Sequence, residues 1–227
     1  MNHYCVFKDI NSLDLGLYME RCPEKISPSR RDETVKISGR HGNLTITDGS
    51  FDTYIRQAEF IIKDPTRIDD ICSHFKGSGW LIFDTEPLRK YKARVVNQIE
   101  FSHIIRDLKR IAVEFEVQPF GYEVNPQTIV RTTPFSIFNM GNFESEPIIT
   151  IFGNGNITLY VNNNRIGLTG IQSAITLDSE KMNAYYNETS LNNKMSGEFP
   201  KFEVGENFIS WTGYVTKVEI QPNWRWL

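Results

Sequence analysis

Apolar and polar residues alternate with a period of two along several segments of the chain. The clearest example is the run in which Ile111, Val113, Phe115 and Val117 alternate with mostly polar residues. A second alternating segment covers residues 92–101, and a third covers residues 51–63. Alternation of this kind is typical of β-strands that bury one face and expose the other. We therefore predict a mainly β protein in which the first two segments are antiparallel neighbours.

One segment follows a helical spacing instead. Asp64 can cap a helix whose first turn contains Pro65, because proline lacks the N–H group that would go unpaired there. Gly77 is suited to end the helix. Between these residues one apolar stripe recurs every three or four positions: Ile68, Ile71, Cys72 and Phe75. We predict a single helix whose stripe packs on a sheet.

The charged residues are concentrated in the first part of the chain. Residues 1–124 contain 18 Lys and Arg with 19 Asp and Glu, whereas residues 125–227 contain 7 and 9. The change falls at Asn125-Pro126, and it predicts two domains, 1–125 and 126–227. The second part shows short alternating segments with turns expected at Gly153–Asn156 and Asn162–Asn164. This pattern favours a β-sandwich or jelly roll.

Motifs for catalysis, nucleotides or metals are missing from the sequence. It has no Walker loop, no HExxH, no CxxC and no GxSxG, and its three cysteines have no metal-ligand spacing. The net charge of −3 argues against a dedicated nucleic-acid binder. No apolar run is long enough to cross a membrane, and we see no signal peptide, so we expect synthesis in the cytoplasm. We expect no catalytic residues, no cofactor and no metal.

Two alternatives to a purely structural protein remain open. Glu114 and Glu116 share a strand face at a separation that a glycosidase could use. The aromatic residues Trp211, Tyr214 and Trp224 could form a platform on which a sugar stacks. The first alternative predicts an enzyme, and the second predicts a carbohydrate-binding module.

Several short motifs occur in an order that resembles the distal tail protein (Dit) family of long-tailed phages and prophages. Arg30-Arg31-Asp32, Val35 and Gly39-Arg40-His41-Gly42 look like the family's R…V…GR-x-G segment. Trp80-Leu81 and the run from Asp84 to Arg94 are similar to its W-L…D-P-x-R-Y-Y-x-A, with Glu86-Pro87 as a departure. Further matching motifs are Asp48-Gly49-Ser50-Phe51-Asp52, Asn139-x-Gly141-Asn142, Ser145-x-Pro147, Gly153-x-Gly155, Phe199-Pro200 and Gly205-x-Asn207.

The resemblance implies a two-domain β protein at the tip of a phage tail. Its N-terminal, β-sandwich-like domain with one helix would assemble as a hexameric ring between the tail tube protein and the tail-associated hub protein. Its C-terminal, galectin-like domain would project outward and attach receptor-binding proteins or sugar-binding modules. DNA would be only the passive content of the channel, and the protein would have no membrane role.

The residues expected at subunit contacts flank the matching motifs. They are Arg40, Tyr91, Lys92 and Arg94. We also expect that residues 4–17 could add a strand to a neighbouring subunit, because sheet edges carry unpaired N–H and C=O groups.

Overall fold

The computed structural model describes residues 3–62, 64–105 and 108–227. Strands make up 59% of it, and the only α-helix in these ranges is α1, Ile68–His74. The predicted mainly β class with one helix is confirmed. The chain divides into an N-terminal unit, which runs to Gly121 and also takes Leu227, and a C-terminal unit, Tyr122–Trp226. A domain boundary at residue 125 stays a prediction.

The N-terminal unit is built on one curled sheet, whose strands follow the order β2-β1-β7-β8-β10-β6-β3, with β9 also paired to β10. His3 forms an antiparallel bridge to Met19 of β3. The last strand of the order therefore contacts the residues that precede β1, and the sheet curls back on itself. Within the described part of the chain, strands β4 and β5 pair only with each other. The strands are β1 Cys5–Phe7, β2 Ile10–Asn11, β3 Leu17–Arg21, β4 Arg30–Val35, β5 Leu44–Phe51, β6 Tyr54–Ile62, β7 Ser78–Phe83, β8 Arg89–Val95, β9 Ser102–Ile105 and β10 Leu108–Glu123.

The core of the N-terminal unit consists of the residues that alternate along these strands. Ile111, Val113, Phe115 and Val117 are all fully buried, as the period of two predicts. Helix α1 adds Ile71 and Phe75 to this core, and the Phe75 ring lies 5.9 Å from that of Phe60 and 6.0 Å from that of Phe115. The prediction that the helix packs on a sheet is therefore confirmed.

Helix α1 is preceded by a short 3-10 turn, Pro65–Arg67. The Asp64 carboxylate accepts hydrogen bonds from the main-chain N–H of Thr66 (3.0 Å) and from its hydroxyl (2.6 Å), so the predicted cap is present. The helix ends at His74, before Gly77, whose φ of +73° carries the chain into β7. The predicted strand end at Lys63 lies outside the described residues.

The alternating segment 92–101 does not form one strand. Strand β8 ends at Val95, and Asn97 then bonds to β10 through its side chain. The Asn97 amide donates to the main-chain oxygen of Ala112 (2.9 Å) and accepts from the N–H of Glu114 (2.8 Å). An asparagine side chain thus replaces the main chain in the ladder, a substitution that periodicity cannot reveal.

The C-terminal unit is also a single curled sheet. Its order is β11-β19-β13-β15-β16-β17, with β12 on β19 and with β14 on both β13 and β18. No α-helix occurs among its described residues. Its strands are β11 Ile129–Arg131, β12 Phe135–Asn139, β13 Ile148–Val161, β14 Asn164–Ile171, β15 Ala174–Asp178, β16 Asn183–Tyr186, β17 Thr189–Ser190, β18 Met195–Ser196 and β19 Gly205–Gln221. The short strand β20, Arg225–Trp226, is not part of this sheet.

The turn predicted at Gly153–Asn156 is instead an irregular stretch inside the long strand β13, where its register with β19 shifts. A side chain on Gly153 would collide with the main-chain oxygen of Tyr214, so glycine allows the two strands to approach. Asn154 and Asn156 use their side-chain oxygens to accept hydrogen bonds from the N–H groups of Ser173 and Gly170, both at 3.0 Å. The polar residues that suggested a turn therefore stabilise a bulge in β13 through side-chain hydrogen bonds.

Candidate assembly surfaces

Strands β4 and β5 form a two-stranded hairpin, which we call the arm (Arg30–Phe51). Its base is fixed because the Phe51 ring lies 6.1 Å from that of Phe120 and because Arg31 pairs with Asp52 at 2.8 Å. Beyond that base, no hydrogen bond or ion pair within the described ranges joins residues 32–50 to the rest of the chain. A hairpin with two strands is marginally stable unless another surface covers it.

The arm has one apolar face and one polar face. Cross-strand pairing places Val35 opposite Leu44 and Glu33 opposite Ile46, so these four residues share a face. The opposite face carries Thr34 with Thr45 and Asp32 with Thr47. Ile46 is 51% exposed, and Ile37, just beyond β4, is 44% exposed. The sequence does carry a signal for this arm. Val35 and Ile37 alternate with polar residues before Gly39, and Leu44 and Ile46 do so after Gly42. From the sequence, this segment was interpreted only as a family motif.

The tip of the arm is basic. Lys36, Arg40 and His41 are all exposed there, within the turn that joins β4 to β5. Gly39 and Gly42 adopt φ values of +81° and +76°, a conformation that glycine accepts at little cost. Arg40, one of the predicted contact residues, is thus accessible at the most distant point of the arm from its base.

The other predicted contact residues lie on β8, and its alternation separates them. Lys92 and Arg94 point to the outer face of the sheet, where Lys92 lies 5.6 Å from the centre of the Trp80 ring and Arg94 pairs with Glu116. Tyr91 points the other way and is only 4% exposed. Tyr91 was therefore wrongly assigned to a subunit contact, because its side chain belongs to the core of its own unit.

Tyr91 takes part in a buried ionic cluster. The Arg56 side chain is 1% exposed and pairs with the carboxylate of Glu86 at 2.8 Å, while the Tyr91 hydroxyl donates to the same carboxylate. The guanidinium also lies 4.3 Å from the centre of the Phe83 ring and donates to the main-chain oxygen of Pro23. Burial alone would raise the pKa of Glu86, but the bonds from Tyr91 and Arg56 outweigh it and lower that pKa. Burial and Glu86 together raise the pKa of Tyr91.

Two cavities on the outer face of the sheet meet at Glu59, and we call them together the groove. One, of about 290 Å³, is bordered by Pro23, Ile26 and Ile55 and also by the polar residues Arg21, Glu24, Arg56 and Gln57. The other, of about 420 Å³, is bordered by Glu100 and Arg110. Glu59 borders both. Arg110 is already paired with Glu20 at 2.8 Å, and no ion pair involves Glu59 or Glu100 among the described residues, so the second cavity is acidic.

The N-terminal segment is used within its own subunit. Strand β1 pairs with β7 through Cys5–Phe83, Val6–Ile82 and Phe7–Leu81. Cys5 and Phe7 are buried in the core. The expectation that residues 4–17 add a strand to a neighbour was wrong for β1, because that strand would have to leave its own sheet.

Glu116, one of the two carboxylates of the glycosidase alternative, is not suited to act as its general acid. Glu116 is bonded to Arg94, and this bond lowers the pKa of Glu116. A glycosidase acid needs a raised pKa, so that it still holds its proton when the substrate binds. Across the described residues, no group of three or more His, Cys, Asp and Glu side chains is arranged to hold a metal ion.

The aromatic residues predicted to form a sugar platform do not share a surface. Trp224 is 6% exposed and packs 5.8 Å from Phe202, so it belongs to the core of the C-terminal unit and its assignment was wrong. Trp211 pairs with buried Leu159 and packs partly against the same core. Tyr214 alone is well exposed, at 64%.

A cavity of about 440 Å³ lies beside the turn between β13 and β14. Its lining residues include Glu144, Asn163, Glu198 and Phe199. Asn162 is held at this turn by bonds between its side chain and Asn207 (2.8 Å) and the N–H of Phe208 (2.8 Å). None of these residues was singled out from the sequence as a site residue. Asn162–Asn164 does form the predicted turn.

No described helix has both the length and the apolar character that crossing a bilayer requires. Comparison with known proteins finds a matching family model and similar solved structures. Residues 8–117 match the family of phage tail protein RIFT-related domains. The fold of the whole chain is similar to the crystal structure of the SPP1 Dit protein, with a TM-score of 0.78, 13% sequence identity and 100% of each chain covered. No curated protein matches the sequence.

The match of residues 8–117 to a phage tail family, together with the curled β fold, supports a structural phage tail protein. Within that class, residues 8–117, just under half of the chain, match the family of phage tail protein RIFT-related domains, and the resemblance to siphophage distal tail proteins is confirmed. The SPP1 protein is described as a paradigm of the hub adsorption apparatus in phages that infect Gram-positive bacteria.

Proposed function

We propose that this protein is the distal tail hub of a long-tailed phage or prophage and that it assembles as a hexameric ring at the tail tip. The observation that carries the proposal is the similarity of the complete chain, both units included, to a hub protein. The exposed apolar face of the arm supports it, because an isolated subunit would leave this face in water. A ring suits such a surface, since each subunit offers one surface to the next and the contacts close.

In this proposal the ring joins the tail tube protein to the tail-associated hub protein. The C-terminal unit serves as the attachment point for receptor-binding proteins, and DNA passes through the channel without specific binding. The net charge of −3 agrees with a passive channel. The subunits are made in the cytoplasm of the host bacterium and end in the virion. Lys92 and Arg94 remain proposed contact residues, because both lie on the outer face of β8.

Light scattering coupled to size-exclusion chromatography tests the ring directly. We expect a species near six times the subunit mass of 26.3 kDa, with sixfold symmetry in negative-stain images. A protein that stays at 26.3 kDa at every concentration would contradict the ring.

A second candidate function is binding of a cell-wall saccharide by the C-terminal unit. The cavity beside the β13–β14 turn favours it, because carboxylates, amides and an aromatic ring are the groups that bind sugar hydroxyls and faces. Glycan-array binding that is lost in Asn163→Ala and kept in Tyr214→Ala would support the cavity. Binding lost only in Tyr214→Ala would favour the exposed tyrosine, and no binding by the wild type would exclude this candidate.

A further inference from the structure

We propose that the arm of one subunit docks into the groove of a second copy of this chain, with its basic tip in the acidic cavity and its apolar face on Ile26 and Ile55. The inference rests on the proposed ring and names the contact that builds it. Both surfaces belong to the N-terminal unit, and each lacks a partner within its own described chain.

The apolar parts of the two surfaces are matched. The arm offers Val35, Leu44 and Ile46 on one face. The groove offers Ile26 and Ile55, each 44% exposed, beside Pro23. Burying exposed aliphatic side chains against each other is favourable in proportion to the apolar area removed from water. Two half-exposed apolar surfaces on one molecule are therefore expected to meet in the assembly.

The charged parts of the two surfaces are opposite. Lys36 and Arg40 stand at the tip without an ion-pair partner among the described residues. Glu59 and Glu100 border the acidic cavity and also have no ion-pair partner among the described residues, because the nearby Arg110 pairs with Glu20. Because Glu59 borders both cavities, the apolar and acidic regions of the groove are continuous, as are the apolar face and basic tip of the arm.

The pairing of these surfaces selects a second copy as the occupant. The arm and the groove are different surfaces of one chain, so their contact is heterologous and leaves a free arm and a free groove at the ends of every open chain of subunits. When the ring closes, every arm occupies a groove and no arm or groove is left free. A partner of another sequence would leave either the arms or the grooves uncovered.

Charge reversal in two separate variants tests the inference. The tip variant is Lys36→Glu/Arg40→Glu, and the groove variant is Glu59→Lys/Glu100→Lys. Each variant alone would place like charges in contact, and we expect the concentration for half-assembly to rise at least about 100-fold. In an equimolar mixture every contact can be complementary when the two variants alternate, so we expect assembly near the wild-type concentration.

A control variant, Glu188→Lys/Glu206→Lys, makes the same charge change as the groove variant at exposed positions of the C-terminal unit. It should assemble like the wild type. Circular dichroism and thermal unfolding of each variant establish that the subunits are folded before assembly is measured by light scattering.

The outcomes separate this inference from the proposed function. Assembly of the tip and groove variants alone at wild-type concentrations would overturn the arm–groove contact while leaving the ring intact, and it would point to another tail protein as the occupant. Failure of the mixture to assemble would also overturn the contact. A wild type that never assembles would overturn both.

Discussion

Replacing Glu86 by Gln should test whether the buried ionic cluster holds the N-terminal unit together. The substitution keeps the size of the side chain and removes its negative charge. Arg56 would remain 1% exposed, with the rings of Phe83 and Tyr91 around it and only uncharged acceptors, the main-chain oxygen of Pro23 and the new amide oxygen at position 86. The guanidinium cannot lose its charge, so it would stay buried without a counter-ion.

The expected cost follows from this geometry. Removing one partner of a buried ion pair typically costs about 3–5 kcal/mol, because the other charge is left uncompensated. The cation–π contacts of Arg56 with Phe83 at 4.3 Å and Tyr91 at 5.5 Å are present in both proteins and do not change this cost. The amide oxygen at position 86 can still accept from the guanidinium, so we expect a cost of about 2–4 kcal/mol. A domain has only about 5–15 kcal/mol in total, so the loss is large.

Urea unfolding followed by circular dichroism measures this loss, with hydrogen exchange assigning the transition to the N-terminal unit. The matched control is Glu20→Gln, which breaks the exposed pair with Arg110 and should cost less than about 1 kcal/mol. The double variant Arg56→Met/Glu86→Gln should be more stable than Glu86→Gln alone, because the unpaired charge is gone. A loss in Glu86→Gln no greater than in the control would refute the reasoning.

Three further outcomes are expected, each read from the free energy of unfolding. Trp224→Ala should cost about 3–5 kcal/mol, because the indole is buried against Phe202 in the core of the C-terminal unit. A near-neutral result would contradict the burial of Trp224. Asn97→Ala should cost about 1–3 kcal/mol, since two main-chain groups of β10 lose their partner. The wild type should lose stability as the pH falls below about 4.5, because the folded pKa of Glu86 lies below that ordinary value; Glu86→Gln should have a flatter acid profile, and an equal slope would contradict this.

The alternation of apolar residues was sufficient to predict the β class, because each strand has one face in the core. Ile111–Val117 shows this, since all four of its alternating apolar residues are buried. The helix α1 could also be predicted, because capping by Asp64 and an apolar stripe are local properties of the chain. What depends on near neighbours in sequence is accessible to reasoning from sequence.

The candidate site was predicted only in part. Arg40 could be named because a motif surrounded it, and the structure exposes it at the tip of the arm. Tyr91 and Trp224 were misassigned because the side of a strand or loop on which a residue lies depends on pairing with distant strands. Glu59 and Glu100 gave no signal, since the groove they border is formed by segments far apart in the chain.

The sequence by itself determined the strands, the single helix and the family resemblance, because these follow from local periodicity and from short motifs. The tertiary structure alone decided which apolar faces are covered within the subunit and which, on the arm and in the groove, are left exposed. That distinction depends on long-range strand pairing, in which the partners of each face come from distant parts of the chain.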